Sequence, residues 1–563
     1  MTSPALSVLM CTEGTYPFEG GGVSTWCHIL CESLPQVDFT LYASLGSPEK
    51  GHPTRKKQGV PLWREEKDQA KSWYDNWYLT PKYDLPENAR KVIYIPLWGT
   101  QEPAEFILRD QTLGPVPFSQ VVRERKWATT DAVIEVEFVP LLRRFLEGMQ
   151  LTSNDILGYG PVIYEMWQYF QAYDWNLTWK SEPVWRAFIK VVLRPYESRP
   201  HDFLDSEIPS HFDLTTALRW MYNFLMPLNA PVPQTDLVHL TIASFAGIAG
   251  IVAKHHYNTP LLLTEHGVSI RERYIAISAA EFGYFSKQFL LNMYSFISKI
   301  LYGYADVVSP VANFNRRWEE KFGVSPERIE TIYNGIDPAV FVPKPKPSRT
   351  AKRPTAVAAA RVFPLKDIEM MIQSAAVARD LLPNVYFLVY GSLNADPPYV
   401  AKCRKLIQEL GLENTFEFGG FHSKPAEIYT EGDISVLSSI SEGFPFTVLE
   451  SMSCARPVVG TDVGGVKEAL DGFGVITAPR DPQGFGEGVV KLLKNDELRM
   501  ELGRKAREEI ILKYQTKDMI RQYWELYQRL VDGHSQLPKS QTTDVAAGTV
   551  QLPASADLEV SKP

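Results

Sequence analysis

The chain is sparing with cysteine: Cys11, Cys27, Cys31, Cys403 and Cys454 are five in 563 residues, an odd number with no paired C-x-x-C spacing. That excludes a disulfide scaffold and a thiolate zinc site of ordinary spacing, and it fits buried thiols in a reduced compartment. Long apolar runs are missing too. The longest, around 242–253, falls far short of the roughly 20 residues needed to span a bilayer. The start has no basic n-region, and its apolar run 6–10 is too short for a secretory leader. Positive charge is not in excess: 58 Lys and Arg against 66 Asp and Glu give a formal net charge of −8, with no global basic field for nucleic acid or an anionic membrane. A G-x-G-x-x-G between strand and helix with a following acidic residue is absent from both halves, which argues against an NAD-dependent dehydrogenase. The expectation is a cytoplasmic protein with no nucleic-acid partner and no integral membrane segment. The sequon Asn176-Leu177-Thr178 reads as a chance match.

What is present is alternation of strand and helix. Residues 6–10 form an apolar strand, Gly20-Gly21-Gly22 opens a helix-like run over 23–34, and 38–42 reads as a second strand. From about 47 to 234 the pattern turns irregular, with helix-like pieces at 133–150 and 161–170 and ten of the thirteen tryptophans; this reads as a large insertion. Regular alternation returns with strands at 236–241, 260–264 and 306–310 and helices at 244–256, 281–304 and 311–322. Residues 341–354, rich in Pro and Lys without apolar period, read as an interdomain linker. Strands at 355–360, 385–390, 415–418, 434–438 and 457–460, with intervening helices, form a second parallel unit over 355–510. Residues 498–530 read as helix, with 511–532 a terminal helix able to return to the first domain, and the polar tail 533–563 reads as disordered. The fold class is α/β, with two Rossmann-like domains.

Four motifs carry chemistry. Glu442 and Glu450 lie eight positions apart across a strand-to-helix turn, Glu442 on the loop and Glu450 one turn into the helix. Ligands in open α/β sheets bind outside the carboxyl ends of the strands, so two carboxylates there can accept sugar hydroxyls while the Phe446 and Thr447 amides face a phosphate. Arg361 and Lys366 follow the first strand of the second unit and can converge on a diphosphate at the same edge; such fixed cations stabilise negative charge developing on a leaving phosphate without a metal. Gly21 and Gly22 let backbone approach a ligand at a helix N-terminus, although a plain turn explains them as well. His266 ends a hydrophobic strand at the carboxyl edge, where a structural histidine is the competing reading. Arg271 and Arg273 follow it in what reads as a loop, and Asn334-Gly335-Ile336-Asp337 reads as a turn closing the first domain.

Taken together, the E-x7-E pair Glu442 and Glu450, Arg361 with Lys366, the Asn334-Gly335-Ile336-Asp337 turn and the glycines of 460–465 resemble glycosyltransferase family 4. Glu13-Gly14-Thr15-Tyr16-Pro17, Gly21-Gly22-Val23-Ser24-Thr25-Trp26 and Thr264-Glu265-His266-Gly267 resemble its PelF-type branch of exopolysaccharide enzymes. The resemblance implies a GT-B fold, two Rossmann-like domains facing a central cleft, and retaining transfer of a hexose from a nucleotide-diphospho-sugar, UDP-glucose first among donors, to a saccharide or polysaccharide. It implies no cofactor and no metal. Arg361 and Lys366 would bind the diphosphate, Glu450 the ribose, and Glu442 with the Gly443-Phe444 backbone the sugar. His266 would touch the donor sugar near the reacting carbon, with Gly21, Gly22, Gly391 and Thr447 completing the donor site. Recruitment to a membrane polysaccharide-synthesis complex stays open. A GT-B nucleotide-sugar epimerase and a non-catalytic scaffold are the alternatives.

Overall fold

The computed structural model describes residues 6–46, 81–97, 104–109, 112–115, 121–150 and 156–535. They fall into two units. The first holds the described residues of Met1–Ser309, Trp318–Glu330 and Leu526–Pro563, and the second holds Pro310–Arg317 and Thr331–Glu525.

The first unit is built on β1 (Leu6–Glu13), β2 (Val37–Leu45), β3 (Lys91–Pro96), β4 (Ala104–Arg109), β5 (Thr112–Pro115), β6 (Leu237–Leu240), β7 (Leu261–Glu265) and β8 (Val307–Pro310), in the order β5-β4-β3-β2-β1-β6-β7-β8. β1 pairs in parallel with β2 and β6, β2 with β3, and β6 with β7, while β4 and β5 add antiparallel edge strands. Strands such as Leu-Leu-Leu-Thr-Glu of β7 are buried along their whole length, as expected where helices cover both faces of a parallel sheet.

The stretch 47–234 is therefore only partly an addition. β3, inside it, is the third strand of the parallel order, and the irregular reading missed it because Lys91–Pro96 is short and preceded by polar turns. The edge strands β4 and β5 lie inside it too, and most of the remaining described part is helical, including Val139–Gln150, Gly160–Ala172, Glu182–Ser198 and His211–Phe224. Ser181 and Ser210 cap the last two, Ser210 in a reciprocal capping box with Asp213. Trp167, Trp175, Trp179 and Trp220 are buried in the core these helices share with Ile248–Tyr257 and Tyr284–Tyr304. They are core rather than a stacking platform; Trp63, Trp73, Trp77 and Trp98 lie outside the described residues. Thr178 is buried and Asn176 accepts a hydrogen bond from the Tyr222 hydroxyl at 2.8 Å, so the sequon belongs to a packed helix.

The second unit is a sheet of β9 (Thr355–Ala359), β10 (Tyr386–Tyr390), β11 (Phe416–Gly420), β12 (Ile434–Leu437), β13 (Val458–Thr461) and β14 (Val475–Thr477), in the order β11-β10-β9-β12-β13-β14, parallel throughout. Its helices announce themselves locally. Asp367, Asp396, Asp481 and Asn495 each cap a helix by accepting from a backbone amide three residues on, worth about 1 kcal/mol apiece.

Three boundaries differ from those read in the sequence. The first unit gives way to the second at Glu330 and Thr331, ahead of the expected linker. Residues 341–354 are not a free spacer: Lys346 pairs with Asp433 at 2.7 Å, Arg349 pairs with Glu417, and the Phe341 carbonyl accepts from Arg507 at 2.9 Å, so the segment is tied to the second unit. The helix read over 498–530 is two, Asp496–Lys513 and Thr516–Ser535, because the backbone at Tyr514 and Thr516 is diverted to bridge Ile336 (2.8 and 3.1 Å). From Leu526 on, the second of these belongs to the first unit. The tail from 536 lies outside the described residues.

Candidate active site

Both parallel sheets follow the order 3-2-1-4-5-6, so each has a topological switch point where ligands bind at carboxyl ends of strands: between β9 and β12 in the second unit and between β1 and β6 in the first.

At the second unit's switch point the loops after β9 and β12 are laced together. The loop after β9 contains a short turn, Pro364–Lys366, then Asp367 with φ 44°, which caps the helix Ile368–Leu381. The Ile440 amide donates to the Leu365 carbonyl at 3.0 Å, and the Ser438 hydroxyl donates to the Lys366 carbonyl at 2.7 Å. Across this seam the Lys366 ammonium pairs with Glu442 Oε1, and the buried Ser439 hydroxyl donates to the same oxygen at 2.5 Å. Arg361 is exposed, its guanidinium 5.1 Å from the Phe363 ring centre, and it is not among the partners of Glu442. The two cations thus stand in the same loop, Lys366 on Glu442 and Arg361 over the Phe363 ring.

Glu450 stands, as its spacing indicated, inside the helix Phe446–Ser453. It accepts from the Tyr429 hydroxyl at 2.5 Å. Burial pushes its carboxyl up to about 7, against the lowering effect of that hydrogen bond. Phe446 and Thr447 form the first turn of this helix, which has no side-chain cap.

Glycines set the approach of neighbouring backbone. A Cβ on Gly391 would lie 1.9 Å from the Ala360 carbonyl oxygen, so glycine there lets β10 close onto the end of β9. Gly464, at φ 55°, would place a Cβ 1.8 Å from the Glu442 carbonyl oxygen, and the Gly465 amide donates to the Gly443 carbonyl at 2.7 Å. Gly464 and Gly465 are therefore a buttress under the Glu442 loop, while Gly460 packs under Val466 and Leu470. A second buttress was missed: Asn334 donates its amide to the Phe444 carbonyl at 2.7 Å and Tyr333 packs its ring 5.1 Å from that of Phe444. Asn334-Gly335-Ile336-Asp337 belongs to the second unit and braces the carboxylate loop; it does not close the first domain.

The first unit's edge is differently furnished. Gly21 caps the helix Gly22–Ser33, and a Cβ placed on it would meet no atom within 4 Å, so this loop is open on the side its side chain would take. Glu13, ending β1, reaches past β6 to accept from the Ser244 hydroxyl at 2.9 Å and the Ala246 amide at 3.2 Å, and Arg273 stands 3.8 Å from it. Arg273 lies on a helix, Ser269–Ala279, not in a loop, with its guanidinium over the Tyr294 ring. His266 follows β7. Its ring meets Trp26 edge-on at 4.6 Å, and its Nε2 is buried with no hydrogen-bond partner among the described residues. Behind Trp26 stands His239, bonded to the Tyr527 hydroxyl at 2.6 Å and the Thr264 hydroxyl at 2.7 Å. Burial lowers both imidazoles to about 3, with His266 a further lowering influence on His239, so both are neutral near pH 7. His239 and Tyr527 escaped the sequence reading, and Trp26 entered it only as part of the motif 21–26, because their roles come from contacts among the helix Gly22–Ser33, β6, β7 and the terminal helix.

All five cysteines are free and buried. Among the described residues no three or more of His, Cys, Asp and Glu are grouped to hold a metal ion, and no helix is long and apolar enough to cross a membrane.

Residues 6–57 and 73–327 match the family described as "Domain of unknown function (DUF3492)", more than half of the chain. The chain belongs to that family. In this DUF3492 protein the match runs through most of the Trp-rich stretch, which is thus part of the family's own domain. Residues 343–509 match "Glycosyl transferases group 1", and this span contains Arg361, Lys366, Gly391, Glu442 and Glu450. The chain is 26% identical over 207 residues to N-acetyl-alpha-D-glucosaminyl L-malate synthase of Bacillus anthracis, covering 35% of this chain and 53% of that one. It is 27% identical over 201 residues to D-inositol 3-phosphate glycosyltransferase of Paenarthrobacter aurescens, covering 33% and 48%. The matches thus span about half the length of these relatives. Sucrose-phosphate synthase from Thermosynechococcus elongatus superposes with a TM-score of 0.56 at 15% identity, over 94% of this chain and all of that one, a likeness of fold alone. The fold is GT-B, two Rossmann-like α/β units, the second a glycosyl transferases group 1 domain.

Proposed function

We propose that the chain is a retaining glycosyltransferase that moves a hexosyl group, glucose before others, from a nucleotide-diphospho-sugar, UDP-glucose before others, to a saccharide or polysaccharide acceptor in the cytoplasm. The observation that carries this reading is the Lys366–Glu442 pair at the switch point of a glycosyl transferases group 1 domain, a cation and a carboxylate joined where a donor's diphosphate and sugar would lie.

In this reaction the bond between the sugar's anomeric carbon and the diphosphate oxygen breaks, and charge gathers on the leaving phosphate. Lys366 and Arg361 stabilise that charge; fixed donors aimed at developing charge contribute roughly 3 to 4 kcal/mol. Glu442 accepts sugar hydroxyls and Glu450 ribose hydroxyls, with the amides of Phe446 and Thr447 turned to the phosphates. The acceptor hydroxyl attacks from the face the diphosphate leaves, giving its proton to the departing phosphate. His266, neutral and with a free ring nitrogen, offers the donor sugar a hydrogen bond without a competing charge. Fixed cations take the place of a metal, so activity is expected to survive a chelator.

The test is a calorimetric and thermal-shift panel of UDP-glucose, GDP-mannose, ADP-glucose, UDP-GlcNAc and NAD, with anomeric analysis of sugar released or transferred from the tightest binder. An α product from an α donor supports the assignment. An inverted product overturns retention, and binding of none of the nucleotide sugars overturns the donor reading.

A further inference from the structure

We propose that Ser439 is the residue that aims Glu442 at the donor sugar; the inference rests on the donor reading above. Both contacts of the Glu442 carboxylate fall on one oxygen. The Lys366 ammonium and the Ser439 hydroxyl share Oε1, which leaves Oε2 as the oxygen presented to a ligand. The two holders differ in what a donor does to them. A diphosphate at the end of β9 competes for the Lys366 charge, and once Lys366 turns to it, the carboxylate keeps only its hydroxyl partner. Ser439 cannot be drawn away in the same manner. It is buried, it is the second residue after β12, and its carbonyl accepts from the Thr461 hydroxyl at 2.6 Å, so its backbone is fixed from β13. Next to it, Ser438 ties the Lys366 carbonyl to the same seam at 2.7 Å. The paired serines thus hold the cation's backbone and the carboxylate's head independently. The side chains of Lys366 and Glu442 are only 20% and 11% exposed, so water does not readily replace a lost hydroxyl.

A positioning role of this kind touches the sugar half of the donor and not the nucleotide half. The experiment is calorimetry on the full chain, wild type and Ser439→Ala, with the tightest-binding nucleotide sugar of the panel and its parent nucleoside diphosphate. The ratio of the two dissociation constants is the readout. Loss of one hydrogen bond to a charged group should move that ratio roughly tenfold against the nucleotide sugar while leaving the nucleoside diphosphate within about twofold. In a Glu442→Ala background the same serine change should no longer move the ratio, because the side chain it orients is gone. A ratio unchanged by Ser439→Ala, or both ligands weakened together, overturns the role. If Ser439→Ala does not fold, Ser439→Cys, which keeps the size and a weak donor, should shift the ratio in the same direction by less; no shift overturns the role equally. A wild-type protein that binds neither ligand defeats the donor reading and this inference with it, whereas normal wild-type binding with an unmoved ratio defeats the serine alone.

Discussion

The two units share one strand order and furnish its carboxyl edge differently around their two most prominent residues, Lys366 and His266. The second unit's switch point is ionic: Lys366 on Glu442, with Glu450 held by Tyr429 nearby in the same motif. The first unit sets its histidine edge from neutral, buried rings: His266 against Trp26, Trp26 against His239, His239 between Tyr527 and Thr264. Polar groups kept neutral give geometry and shape; charged pairs give attraction for a polyanion. The same scaffold therefore carries an ion pair at one edge and neutral rings at the other, and the two should respond to charge and pH in opposite senses.

Four experiments break or sharpen this contrast. The largest effect belongs to Lys366→Ala, which should lower transfer roughly 10²- to 10³-fold, about 3 to 4 kcal/mol, with the melting temperature nearly kept; wild-type rates in the folded variant would remove the ionic half of the comparison. Next, Glu450. Its folded carboxyl is raised to about 7, so its contribution to stability is full below about pH 4.5 and is lost as pH rises through 7. Glu450→Gln removes that loss and should be more stable than wild type at pH 8, by up to about 3 kcal/mol, and no more stable at pH 4. A gain that does not vary with pH, in denaturant melts across this range, would contradict the burial of a titrating carboxyl.

The first unit should behave in the reverse manner. His239 is depressed to about 3, so its contribution is present above pH 6.5 and is lost as pH falls towards 3. Wild type should lose about 2 kcal/mol through this group between neutral pH and pH 5, and His239→Gln, which keeps polar partners for Tyr527 and Thr264, should show a shallower acid slope. Equal slopes would mean the imidazole is not held neutral. The smallest effect is that of Asn334→Ala, which frees the Phe444 carbonyl from its brace and should cost about 1 kcal/mol of stability while weakening nucleotide-sugar binding; an effect on stability with unchanged binding would make the brace purely structural.

Much of the second unit was legible in the sequence because its information is local. Strands β9 to β13 are short apolar runs, the helix Ile368–Leu381 shows its apolar period, and Glu442 and Glu450 are placed on loop and helix by eight residues of spacing, whereas β14 and the helix Pro482–Lys494 behind its Asp481 cap were not read. The first unit was harder to read. β3 sits inside a stretch without regular period, and the burial of Trp175 and Trp179 depends on which helices they meet. The linker over 341–354 misled for the same reason, since Pro and Lys look alike whether solvated or, as with Lys346 on Asp433, bound to a neighbour.

By itself, the sequence determined the alternation of strand and helix, the reduced cysteines, and which cations and carboxylates end up on the carboxyl edges, because helix caps, apolar periodicity and loop spacing act over a few residues. Only the tertiary structure decided that Lys366 reaches Glu442 but Arg361 does not, that Ser439 and Lys366 share one oxygen, that Asn334 braces the site, and that Tyr527 closes on His239 from 288 residues away. Those contacts form when parallel strands far apart in sequence are set side by side, and nothing in local propensity encodes which side chains then meet.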